Sequence, residues 1–101
     1  MAEIKVGTLA NYSARELAER AAERIMELSK PHAVCIDPDG RVTIEPYDTA
    51  VFEDVVGVYS RDLGLIPLYR ELRDTLAYVI EQRGITGQRR RRYVASERRA
   101  A

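Results

Sequence analysis

The stretch from Val34 to Pro46, VCIDPDGRVTIEP, constrains this chain more than any other. Two runs rich in β-branched residues flank Asp-Pro-Asp-Gly, the residue types that tight turns demand. If Asp37 pairs with Arg41 across a three-residue loop, Pro38 and Asp39 form a type I turn. Gly40 then takes the left-handed bulge position that glycine tolerates best. The pairs run Ile36 with Val42 and Val34 with Ile44, so all four β-branched side chains share one face. A four-residue loop would split them between two faces and waste the burial. The stretch therefore predicts a hairpin over 33–45 with one apolar face to cover.

The Asp-x-Asp-Gly of Asp37 to Gly40, with the apolar run before it, also resembles the first motif of the haloacid-dehalogenase-type phosphatases. That resemblance implies a nucleophilic Asp37, an acid at Asp39 and magnesium-dependent phosphotransfer. It covers four residues and the run before them. Arg41 stands where that family usually has threonine or valine, and its later motifs have no convincing counterparts here. Magnesium held between two carboxylates also needs a rigid loop at the end of a buried parallel strand, which a hairpin turn in solvent does not provide. The turn is the reading carried forward.

The hairpin needs partners, and the flanking sequence supplies them. Glu3-Ile4-Lys5-Val6 alternates as a short half-buried edge strand would. Ser13-Ala-Arg-Glu16 matches a capping box, in which serine and glutamate satisfy each other's orphan amides. From Ala14 to Leu28 apolar residues recur at three- and four-residue steps, and Pro31 ends that helix near Ser29. Val51, Phe52, Val55, Val56, Tyr59 and Leu63 also recur at helical spacing, which predicts a second helix over 49–63 with Gly64 as its stop. The valines and Gly57 are poor helix formers, and a strand through Val55 to Tyr59 is the alternative they support. Pro67 opens a third helix whose stripe of Leu68, Leu72, Leu76, Val79 and Ile80 runs up to Gly84. The expected fold is α+β. A small antiparallel sheet of about three strands carries three helices on one face, in the order β-α-β-β-α-α.

With 101 residues the chain has room for one core. Residues 1–84 are read as a single globular domain and 85–101 as a basic C-terminal tail, expected to be flexible. No apolar run approaches the ~20 residues of a bilayer span, and MAEIKVGTLANYS lacks the basic and apolar regions of a signal peptide, so a cytoplasmic protein is expected. Arginine outnumbers lysine 14 to 2, a bias that fits a GC-rich bacterial or phage genome. Catalytic residue types are sparse. His32 is the one histidine and Cys35 the one cysteine, and three residues apart on an extended segment they point away from each other. No enzyme activity, cofactor or metal site is expected.

Charge is distributed unevenly. Up to Gly84 there are 10 basic residues against 15 acidic, a net of −5; from Ile85 there are 6 against 1, a net of +5. An acidic body with several tyrosines suits a small non-enzymatic interaction protein, of accessory or inhibitor type, that binds a protein partner. Tyr47, Asp48, Glu53, Asp54, Tyr59 and Tyr69 are its candidate interface, because tyrosine joins a large apolar area to a polar tip. The alternative function is nucleic-acid binding by the tail. There Arg89, Arg90, Arg91, Arg92, Arg98 and Arg99 would meet phosphates and Tyr93 would stack on a base, and a homodimer would strengthen it by presenting two arms.

Overall fold

The hairpin folds in the register that its turn chemistry dictates. In the computed structural model, which describes residues 3–86, the Asp37 N–H donates to the Arg41 carbonyl at 3.0 Å and the Gly40 N–H to the Asp37 carbonyl at 2.9 Å. Gly40 has φ +88°, and Val34 opposes Ile44 as Ile36 opposes Val42. The Asp37 carboxylate adds to the turn, since its Oδ1 accepts from the N–H groups of Asp39 and Arg41, both at 2.9 Å. All four β-branched residues of the hairpin face are buried.

Around it the chain forms β1 (Ile4–Thr8), α1 (Ala14–Met26), β2 (His32–Ile36), β3 (Arg41–Glu45), β4 (Val55–Tyr59) and α2 (Leu65–Arg83). The sheet is antiparallel in the order β1-β3-β2-β4, so β1 is an edge strand as its alternation predicts. The capping box is formed in full: the Ser13 hydroxyl accepts from the Glu16 N–H, and the Glu16 carboxylate accepts from the Ser13 N–H. Gly84, at φ +65°, closes α2 in the left-handed conformation.

Two expectations are corrected. Residues 49–63 form no second α-helix. Short 3-10 turns at Phe52–Asp54 and Arg61–Leu63 flank β4 instead, so the protein has four strands and two α-helices among the described residues. Gly64 ends the Arg61–Leu63 turn, its N–H donating to the Arg61 carbonyl at 3.0 Å, and the same residue caps the start of α2. The physical reason lies in β4's pairing. Val34 opposes Gly57 while Cys35 opposes Val55, which leaves Val56 as an extra residue in a bulge. The bulge turns Val56 toward the core on the side that Tyr59 also packs against. Inward residues thus follow neither strict alternation nor a true helical repeat, and a bulged strand imitates helical spacing over so short a span. The arginines and Tyr93 of the tail lie outside the described residues.

The core fills one side of the sheet. Val6, Val34, Ile36, Val42 and Ile44 project from the strands to meet Leu17, Ala21 and Ile25 of α1 and Leu68, Leu72 and Leu76 of α2. Ile85, one residue past the α2 cap, is buried in the same cluster. No helix among the described residues is long and apolar enough to cross a membrane.

Candidate functional site

With α1 and α2 on one face, the other face of the sheet carries no helical layer among the described residues. Directly opposed residues share a face, so the pairings define its composition. Ala33 lies between Glu45 and Val58, and Cys35 between Thr43 and Val55. Small residues of the central strand thus floor a trough. Thr43 and Glu45 wall one side, joined by a 2.7 Å hydrogen bond from the threonine hydroxyl, and Val55 and Val58 wall the other. The floor is tightly closed: Ala33 is 0% exposed and Cys35 2%.

Electrostatics mark the trough as acidic. Burial pushes the Cys35 thiol from 9.0 to about 11, and the carboxylates of Glu45 and Asp54 push in the same direction. A thiol so raised holds almost no thiolate at neutral pH and makes a poor nucleophile. The Asp54 carboxyl is also raised, first by burial and then by Asp37, with Glu53 and Glu45 adding to the effect and Arg83 opposing it. The hairpin turn and the approach to β4 therefore bring Asp37, Glu53 and Asp54 to one end of the sheet, whereas Glu45 ends β3 at the other.

The six candidate interface residues do not form one surface. Tyr47 and Asp48 sit past the end of β3 and, with His32, Lys30 and the α1–β2 loop, line a cavity of about 660 Å³. Glu53 and Asp54 sit at the opposite end of the sheet. There they line a cavity of about 250 Å³ together with Ile36, Pro38, Arg83 and Ile85. Tyr59 is half-buried and packs on the core, and burial raises its phenol while a hydrogen bond with Thr75 opposes that rise. Tyr69 also packs on the core from the helix side, under the Arg73 guanidinium at 5.6 Å.

His32 and Cys35 are not brought together. The imidazole Nδ1 lies 2.8 Å from the Lys30 carbonyl beside the large cavity, whereas the thiol belongs to the trough floor. Asp37 and Asp39 share a cation instead of facing an open site, with Arg41 Nη1 3.4 Å from a carboxylate oxygen of each. Among the described residues no group of three or more histidine, cysteine, aspartate or glutamate side chains is placed to hold a metal ion.

What the sequence reading passed over is the side of the sheet bounded by β4. Phe52, the one phenylalanine of the chain, is 87% exposed at the entrance to that strand. Val51 and Val58 are more than half exposed nearby in the chain. The outer edge of β4 pairs with no strand among the described residues. Its signal was the density of β-branched residues in Val55, Val56 and Val58, which favours a strand over the helix implied by spacing. No family model matches the chain, and neither the curated proteins nor the solved structures include a significant match to it.

Proposed function

We propose that this chain is a non-enzymatic interaction protein, of accessory or inhibitor type, that engages a protein partner along β4. The observation that carries this reading is Phe52. A large aromatic side chain 87% exposed beside a strand edge that is unpaired among the described residues holds apolar area in water that folding alone does not explain. Strand edges accept extended segments through main-chain hydrogen bonds, and an adjoining aromatic supplies the anchor that such pairing needs for affinity. Glu53 and Asp54 follow Phe52 directly and favour a partner with a basic surface.

The test compares the full-length protein with Phe52→Ser as bait in native lysate treated with nuclease. Because Phe52 is exposed, the variant should keep its thermal midpoint within about 2 °C, as surface substitutions commonly do. It should lose the protein that the unmodified chain retains. Retention of the same partner by the variant, or no protein retained by either, refutes the reading. Retention of nucleic acid in untreated lysate that is lost with Arg89–Arg92 changed to glutamine would establish the tail as the working element instead.

A further inference from the structure

We propose that the partner β4 engages is a second copy of this chain, paired antiparallel about a two-fold axis at Val58; this names the occupant of the edge and rests on β4 being the edge engaged. Three observations carry it.

The first is the contrast between the two edges of the sheet. β1 holds Lys5 and a bulge between Lys5 and Gly7, devices that blunt a strand edge. β4 reads Val55-Val-Gly-Val-Tyr59 without a charge, and its bulge at Val56 leaves residues 57–59 regular. Among the described residues the backbone of those three bonds only to β2. The second is where apolar area lies in water. Of the eight large hydrophobic residues exposed among the described residues, six fall in one segment: Val51 and Phe52 before β4, Val58 within it, and Leu63, Leu65 and Ile66 after it. A strand with apolar groups beyond both ends covers them by lying antiparallel to its own copy, since each end then meets the other. The third is register. Directly opposed residues share a face, and a two-fold axis normal to a continuous sheet keeps each residue and its copy on the same face. Gly57 opposes Val34 and Tyr59 packs on the core side, whereas Val58 opposes Ala33 on the other. A two-fold at Gly57 would set Val56, which packs on the core, against the partner's Val58, and the faces disagree. At Val58 they agree: Val58 meets the partner's Val58, and Gly57 meets the partner's Tyr59. The extra residue at Val56 then shifts the count by one and brings Asp54 level with the partner's Arg61, on both sides of the axis. Arg61 is exposed, and Asp54 has the carboxylates of Asp37 and Glu53 near it against Arg83, so this register adds opposite charge where the isolated chain has an acidic excess.

The experiment is sedimentation equilibrium on the full-length protein, on Asp54→Arg, on Arg61→Asp and on an equimolar mixture of those two variants. The unmodified protein should rise with concentration toward twice the 11.5 kDa of one chain. Each variant alone opposes like charges twice across the axis and should self-associate about tenfold or more weakly. Their mixture restores two pairs of opposite charge, as an antiparallel two-fold register requires, and should regain the dimer mass; recovery also shows that both variants are folded. Val58→Lys, which sets two lysines against each other at the axis, should stay monomeric. A dimer that Val58→Lys leaves unchanged, or a mixture that does not recover, places the interface elsewhere and overturns the proposal. So does an unmodified protein that is monomeric at every concentration. Capture of a different protein from lysate, lost with Phe52→Ser, would then keep β4 as the engaged edge with another occupant, and exchange protection of both edges of residues 57–59 in that monomer would give the edge to the chain's own residues 87–101.

Discussion

Replacing Gly57 with alanine should destabilise this protein, and the sign of the change separates the strand observed from the helix that the spacing of residues 49–63 suggests. Gly57 opposes Val34 on the core side of β4, and Tyr59, two residues on, folds its ring back across it. A Cβ at position 57 would lie 2.5 Å from the Tyr59 hydroxyl oxygen and 2.7 Å from Cζ. The ring must swing off its place on the core and weaken its bond with Thr75. Overpacking of this kind costs about 1 to 3 kcal/mol, and the lower entropy of an unfolded alanine offsets about 0.4 to 1 kcal/mol of it. A net loss of roughly 1 to 2 kcal/mol remains, a fall of about 5 to 10 °C in melting temperature for a domain of this size. In a helix the same substitution would stabilise by about 1 kcal/mol. Urea unfolding measures the sign. Ultraviolet titration of the phenols supplies an independent readout, since a displaced Tyr59 should titrate closer to its ordinary value of 10.0. In a Tyr59→Ala background the alanine at position 57 should become neutral or favourable. A single Gly57→Ala variant as stable as the unmodified protein would refute the reasoning.

Two further outcomes follow from the hairpin and the trough. Asp37→Ala removes the acceptor of two backbone N–H groups in the turn and should cost about 1 to 2 kcal/mol in urea unfolding, in keeping with solvent-exposed turn bonds; magnesium-dependent phosphatase activity that disappears with it would reinstate the phosphotransfer reading. For Cys35 the folded thiol titrates above the unfolded one, so its contribution to stability is complete below the ordinary 9.0 and is lost as the pH rises toward about 11. Cys35→Ala should therefore lose less stability than the unmodified protein between pH 9 and 11, and the native thiol should resist alkylation at pH 8. Alkylation as fast as in the unfolded chain would show that the trough floor is open.

The sequence by itself determined the elements whose cause is local. Asp-Pro-Asp-Gly specifies one loop length, and that length alone puts Val34, Ile36, Val42 and Ile44 on one face, so the hairpin register needed no tertiary information. Ser13 with Glu16, and Gly84 after Arg83, place helix ends by hydrogen bonds within a few residues. Residues 49–63 were decided by the tertiary structure. Their spacing fits a helix and their β-branched content fits a strand, and the open edge of β2 settles the matter by offering backbone partners that a helix would leave unpaired. The candidate surface is a tertiary product for the same reason. The trough exists because α1 and α2 both cover one face, and Asp37 comes near Glu53 and Asp54 because the hairpin turn and the start of β4 fall at the same end of the sheet. Sequence proximity grouped Tyr47 and Asp48 with Glu53 and Asp54, yet the antiparallel sheet holds the two pairs at opposite ends, since a few intervening residues are enough to cross from the end of β3 to the start of β4.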